Sequence, residues 1–386
     1  MKNYLRYLII ITYYLSLITV LPAQQTEKIY LSGTGSDDTK PWQFLCTGGM
    51  NANKWTTIAV PSCWEFQGFG KYDYGYAKDS VRGKEKGLYK HIFNAPAEWK
   101  GKVINIVFEG VMTDAEVKVN GKSAGAVHQG AFYAFKYDIT KLLKYGKDNL
   151  LEITVAKHSA NESVNDAERK GDYWIFGGIF RPVWLEVLPK NNIGSVTFDA
   201  NASGLLTGII ATNIFLADYD LATVTIKDVA GKLIDTIHAI DIGDNYGTFL
   251  FSKQIKNIAT WTAENPVLYY GEFTVYKKGK IVHTVSKKFG FRTVELKQRD
   301  GIYVNGIKIK FKGVNRHSFR PETGRTMCKA NSIEDVLLMK DMNMNAVRMS
   351  HYPPDDHFLD VSDSLGLFVI DELAGWHGKY DTQVGA

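Results

Sequence analysis

The sequence predicts a multidomain chain, mainly β and then α/β: a jelly-roll β-sandwich, an immunoglobulin-like β-sandwich and the first three βα units of a TIM (β/α)8 barrel. Three observations predict it. From about Ile29 to Pro189, short apolar strands are punctuated by Gly and Asn turns, with no helical periodicity of useful length. A polar stretch, Lys190-Asn191-Asn192, then opens a second β block whose span of roughly a hundred residues suits an immunoglobulin-like sandwich. After Val294 the pattern becomes strand, helix, strand, helix, strand, which implies parallel strands joined by helical crossovers.

The 386 residues leave room for two or three domains. The formal net charge is +5 with no long Lys/Arg run, so nucleic-acid binding has no support. Residues 1–23 read as an export signal: Lys2 and Arg6 form a charged start, Leu8 to Val20 is mostly apolar, and Leu21-Pro22-Ala23 offers a small residue for cleavage before polar Gln24-Gln25. The apolar run is short for the ~20 residues of a membrane span. The expectation is an exported protein, periplasmic or extracellular, with no membrane attachment after cleavage. Cys46, Cys63 and Cys328 are too few and too scattered for a disulfide framework or a metal site, and are expected as small buried side chains.

The elements follow in order. In residues 24–190, Val103–Phe108 is a dense apolar run suited to a strand buried on both faces. Ala115, Val117 and Val119 alternate with Glu116 and Lys118, and Asn120-Gly121 supplies the turn. Leu151, Ile153 and Val155 alternate with polar neighbours, and Val183, Leu185 and Val187 close the block. In residues 191–293, Val224 and Ile226 form one alternating strand and Phe273 and Val275 another, the latter ending in a Lys277-Lys278-Gly279-Lys280 turn. In residues 294–386, a hairpin from Ile302 to Phe311 turns at Asn305-Gly306. Strands are expected at Phe311–Asn315, Asn345–Met349 and Leu367–Ile370. Ser332 with Asp335 three residues on resembles a capping box, and Ile333, Val336 and Leu337 give that helix an apolar face. Asp355 or Asp356 caps a second helix, with Phe358, Val361 and Leu365 on one face and Gly366 at its end. Three parallel strands fall short of the eight a barrel needs, so the expectation is a truncated barrel, the N-terminal part of a longer protein.

Polar residues gather at the ends of those strands. Gly313-Val314-Asn315-Arg316-His317 ends the first, Val347-Arg348-Met349-Ser350-His351-Tyr352-Pro353 the second, and Asp371-Glu372 the third, with Trp376 and His377 in the loop beyond. In parallel α/β barrels the βα loops converge at this face and build the active site. These motifs, with Asp172-Tyr173-Trp174-Ile175-Phe176-Gly177-Gly178-Ile179-Phe180-Arg181, Val60-Pro61-Ser62-Cys63-Trp64 and Phe289-Gly290-Phe291-Arg292, resemble glycoside hydrolase family 2 from about Ile29 to the end.

The resemblance implies a retaining exo-β-glycosidase acting on terminal β-linked sugars, most simply a β-galactosidase, with β-glucuronidase and β-mannosidase as alternatives. It implies substrate-binding roles for His317, Arg348 and His351, and for Asp172 reaching in from the jelly roll. Imidazole, guanidinium and carboxylate suit this work because they are planar, directional partners for sugar hydroxyls. Arg348 would also keep a neighbouring carboxylate ionised. Asn315 and Trp376 are further candidates, while Asn315 and Arg316 each read equally as a tie between strand ends. His377 is also a substrate-binding candidate; it matches a loop position that holds a divalent cation in some relatives, but Asp371-Glu372-Leu373-Ala374-Gly375-Trp376 departs from the family's usual continuation, so no metal ligand is assigned. No catalytic carboxylate is assigned either. Asp371 and Glu372 are neighbours on a strand and point to opposite faces, and the resemblance puts the acid/base and nucleophile beyond Ala386. Two other readings stay open: a carbohydrate-binding product without catalysis, and a structural role in assembly. The full-length form is a candidate homo-oligomer.

Overall fold

The computed structural model describes residues 25–78, 82–213, 221–243, 247–375 and 378–381. The expected export signal, Trp376 and His377 lie outside the described residues.

The first unit packs a four-stranded sheet on a six-stranded one, with every pairing antiparallel. The smaller sheet runs Glu27–Tyr30, Val183–Leu188, Val103–Phe108, Phe135–Asp138. The larger runs Thr56–Val60, Lys40–Cys46, Lys86–Ala95, Lys147–Ala156, Asp114–Val119, Lys122–Ser123. Alternation decides what enters the core: Ala115, Val117, Val119, Leu151, Ile153, Val155, Val183, Leu185 and Val187 are all buried there. Trp42, Trp64 and Trp99 fill the same interior, whereas Trp55 and Trp174 are exposed. Asn120 and Gly121 take positive φ (54° and 78°) at the predicted turn. One short helix, Glu162–Glu168, was not expected. Its seven residues are too few to show a period, and its start is fixed by the Asn161 side chain accepting from Ser163 N.

The second unit arranges seven strands in the order Ile193–Ala200, Leu205–Thr212, Thr248–Gln254, Leu233–Asp241, Leu221–Asp228, Tyr269–Lys277, Lys280–Phe289. Leu233–Asp241 pairs first with Leu221–Asp228 and at its end with Thr248–Gln254, so the sheet wraps around its own core as an immunoglobulin-like sandwich. Val224, Ile226, Phe273 and Val275 all point into that core. The linker is not loose: Asn192 is buried, and its amide donates to Pro189 O at 2.9 Å.

The third unit starts with a small antiparallel sheet, Val294–Lys297, Gly301–Val304 and Ile307–Lys308, turning at Asn305-Gly306 as expected. Three parallel strands of a TIM barrel follow side by side: Gly313–Arg316, Ala346–Met349 and Phe368–Ile370. The helix Lys329–Asp341 joins the first two and Asp356–Leu365 joins the second to the third. The first helix corrects two expectations. Its cap is Cys328, with Asn331 Oδ1 accepting from Cys328 N at 3.2 Å, so the helix starts earlier than Ser332. Ser332 is buried within it, 2.8 Å from His357 Nδ1, and Asp335 accepts from Arg316 and Arg320 instead of capping. Its inward residues are Ser332, Val336 and Met339, while Ile333 and Leu337 face solvent. The second helix behaves as read: Asp355 is at its N-cap, Phe358 and Val361 are buried, and Gly366 closes it at φ 78°.

The units are tied to one another. Arg181, at the close of the jelly roll, donates to Phe132 O (3.0 Å) and to Pro353 O (2.8 Å) and pairs with Asp355 at 3.0 Å. Lys340 reaches from the barrel helix to Ala263 O at 2.7 Å, and Trp261 Nε1 donates to Asp363 O at 2.8 Å.

Candidate active site

The parallel register brings the strand ends to one edge, with Asn315 opposite Arg348 and Arg348 opposite Ile370. The side chains then close into a cluster. Arg348 Nε donates to Glu372 Oε1 at 2.5 Å, and Nη1 donates to Asn315 Oδ1 at 3.3 Å. His351 Nδ1 lies 3.4 Å from Arg348 Nη2 and 3.3 Å from Glu372 Oε2. The His317 ring stands edge-on to His351 with centroids 5.4 Å apart, and its Nδ1 lies 3.2 Å from the Tyr352 hydroxyl. One guanidinium thus orders an amide from the neighbouring strand and an imidazole and a carboxylate from two adjacent loops, and the ion pair fixes the angle at which each faces solvent.

An aromatic bed supports this rim. Buried Arg325 lies over Tyr352 (4.4 Å to the centroid), Tyr173 (5.2 Å) and Phe132 (5.5 Å), and Phe132 stacks on Tyr352 at 4.2 Å. Desolvation, reinforced by the charge of Arg325, pushes the His317 imidazole down to about 4; Asp172 acts against that shift. His317 is therefore neutral at pH 7 and can both donate to and accept from a hydroxyl. Asp172 itself is exposed, on the jelly-roll segment just before the strand Trp174–Ile175. The same unit also holds the loop after the third barrel strand. Tyr380 donates to buried Glu168 at 2.7 Å, and Tyr133 accepts from Ala374 N at 3.1 Å. Burial raises the Glu168 carboxyl above its ordinary range.

The structure therefore brings Asn315, His317, Arg348 and His351 together, and Asp172 acts on His317 electrostatically. Trp376 and His377 lie outside the described residues. Arg316 turns away from the rim: it is buried, donating to Asp335 at 2.7 Å with its guanidinium over Phe358. Sequence reasoning did not give Glu372 its place as partner of both Arg348 and His351, and it missed Arg325 altogether. Position two residues past the third strand was a signal for Glu372; Arg325 has none in the chain, because its partners come from three separate segments. Among the described residues no group of three His, Cys, Asp or Glu side chains could hold a metal ion.

A jelly-roll sandwich docked against the polar tips of parallel barrel strands is the layout of a sandwich-and-barrel glycoside hydrolase. Comparison with known proteins makes this specific. The chain matches three family descriptions: the family 2 sugar binding domain over residues 48–189, glycosyl hydrolases family 2 over 186–292, and the family 2 TIM barrel domain over 294–383. The chain belongs to glycoside hydrolase family 2. It is 32% identical over 355 residues to a β-galactosidase of Halalkalibacterium halodurans, covering 87% of this chain and 34% of that protein. A β-galactosidase of Thermoanaerobacter pseudethanolicus is 33% identical over 296 residues, covering 75% of this chain and 39% of that protein. Among solved structures, the β-glucuronidase of Bacteroides uniformis superposes with a TM-score of 0.73 at 25% identity, covering 91% of this chain and 42% of that one. The chain spans less than half the length of the curated relatives it matches.

Proposed function

We propose that this chain is the sugar-recognising N-terminal portion of an exported, retaining exo-β-glycosidase, most simply a β-galactosidase, that removes terminal β-linked sugars. The cluster of Asn315, Arg348, His351 and Glu372 beside His317 carries this reading. Its groups are planar, pre-ordered by one another and open to solvent on the face where the barrel loops converge, with Asp172 approaching from the neighbouring domain. Retention needs two carboxyl groups about 5–5.5 Å apart across the scissile bond. The strand Phe368–Ile370 ends before both carboxylates, which corrects the expectation that Asp371 and Glu372 are neighbours on a strand. Glu372 is engaged by Arg348 and His351, so in this reading the described rim binds and orients the sugar while the reacting carboxylates come from elsewhere in the barrel. The likeness to the Bacteroides uniformis β-glucuronidase supports a second reading, with a glucuronide as the terminal sugar.

Saturation-transfer NMR of the 386-residue chain with methyl β-D-galactoside and methyl β-D-glucuronide tests this, because it registers weak binding. Transfer to one glycoside is expected, at least about tenfold reduced in Arg348→Ala, the size of a lost charge-assisted hydrogen bond. No transfer to either glycoside contradicts the reading. The chain alone is expected to hydrolyse no aryl β-glycoside, and turnover would refute the assignment of the reacting carboxylates.

A further inference from the structure

Beside Asp172 the jelly roll exposes more aromatic surface than the recognition of one terminal sugar uses. A two-stranded ribbon pairs Asp73–Tyr74 with Trp174–Ile175, and Trp174 lies opposite Tyr74. Trp174 is 50% and Tyr76 56% exposed, and Tyr72 and Tyr74 are exposed too. Their rings touch in series: Tyr72 to Trp174 at 6.4 Å, Trp174 to Tyr74 at 5.7 Å, Tyr74 to Tyr76 at 6.1 Å between centroids. Inward, Tyr72 meets Phe176, and Phe176 meets Phe319, an exposed ring two residues past His317. A line of rings thus runs from the candidate site to the outer edge of the domain. Core packing accounts for Phe176, and the Tyr72 hydroxyl is partly held by Glu65 O at 3.1 Å. Neither accounts for the outward faces of Trp174, Tyr74 and Tyr76, and contiguous exposed aromatic surface of this kind is a mark of ligand-binding grooves and of protein interaction sites.

Where the line ends, an open cleft of about 960 Å3 is lined by Tyr76, Lys78, Arg82, Asp166, Lys170 and Lys379. Lys170 is paired with both Asp166 and Glu162, and Arg82 Nε donates to Ala77 O at 3.0 Å. With Lys170 taken up by two carboxylates, Lys78, Arg82 and Lys379 leave the cleft positive, and it focuses a field that attracts anions. Lys379 comes from the loop after the third barrel strand, so jelly roll and barrel build the cleft together.

We infer that the aromatic ribbon and this basic cleft form an extended subsite for an anionic oligosaccharide, whose terminal sugar sits at the rim of His317 and Arg348 while the following residues stack along Trp174 and Tyr74 and an acidic group reaches Lys78 and Lys379. The inference rests on the glycosidase reading and deepens it. A pyranose ring presents an apolar face of C–H bonds that aromatic rings cover, with its hydroxyls left at the wet edge. A neutral chain would need the rings alone; the cations select for sulfate esters or uronate carboxylates, which share the chemistry of a negative group on a sugar.

The test is native-gel retardation of the 386-residue chain in a sulfated galactan, in polygalacturonate and in a neutral β-galactan. Retardation by at least one anionic polymer and little by the neutral one is expected; which anionic polymer acts identifies the sulfate or the carboxylate. Trp174→Ala with Tyr76→Ala should weaken retention about tenfold, the scale of a lost aromatic contact. Lys78→Glu with Lys379→Glu should remove it, whereas two equal charge reversals at exposed Lys232 and Lys256 of the second domain should not. Circular dichroism confirms that each variant is folded. Equal retention by the neutral polymer, indifference to the aromatic pair, or equal loss in the Lys232 and Lys256 control overturns the inference. If methyl glycosides bind by NMR but no polymer retards the chain, the subsite fails and the rim reading stands; if neither binds, both fail.

Discussion

Arg348 and His317 show how much a single side chain can organise. The Arg348 guanidinium addresses Glu372, Asn315 and His351 at once. A lysine there would be a point charge without the fork, able to pair with Glu372 but not to orient the other two. His317 titrates at about 4, below its ordinary 6.5. A lowered histidine pKa means that the unfolded chain takes up the proton first. Its contribution to stability is therefore complete above about 6.5 and is lost as pH falls toward 4. Glycoside binding should accordingly be flat from pH 8 to about 5.5 and decline near pH 4, checked by NMR titration. A binding midpoint near 6.5 would show that His317 is not held in this way. Elsewhere, buried Lys157 sits 2.8 Å from Glu65 and 3.2 Å from both Asp73 and Glu85, all shielded from solvent. Lys157→Met would leave three carboxylates without their cation, and should cost about 3–5 kcal/mol in chemical denaturation. The sequence motifs marked His317, Arg348 and His351, because strand-end position and local spacing are visible in one dimension. They could not mark Lys157 or Arg325, whose partners lie far along the chain.

At the scale of elements, alternation was the dependable guide. Every apolar residue singled out on the strands at Asp114–Val119, Lys147–Ala156 and Val183–Leu188 is in the core. Helix starts were harder to read. A Cys cap offers little polarity, so the true start at Cys328 was hidden behind the more familiar Ser332, and the predicted apolar face rotated with it. The second barrel helix was legible at both ends, because Pro353-Pro354-Asp355 and Gly366 are strong boundary signals. Gly366 is also a demanding position: φ is 78°, and an added Cβ would lie 2.2 Å from Ala263 O. Gly366→Ala should therefore destabilise the chain by about 2 kcal/mol or more, through the left-handed backbone and the collision with the second domain. A melting curve unchanged from the parent would contradict that geometry.

At the scale of the whole molecule, the three blocks were readable as changes of hydrophobic period, but the way they dock was not. Docking depends on Arg181 against Asp355, Lys340 against Ala263, and Glu168 against Tyr380, contacts between residues with no local pattern in common. These ties hold the jelly roll against the barrel, where the charge of Asp172 opposes the lowering of the His317 pKa. In the proposed function, three parallel strand tips and one sandwich loop form a single sugar-docking rim. The most direct measurement is the histidine side-chain 1H–15N spectrum of the chain titrated with the glycoside that binds. The His317 and His351 imidazole signals should move together along one saturable curve while those of half-buried His91 and buried His283, in the two sandwiches, stay fixed. Shifts confined to other histidines, or separate curves for His317 and His351, would contradict it.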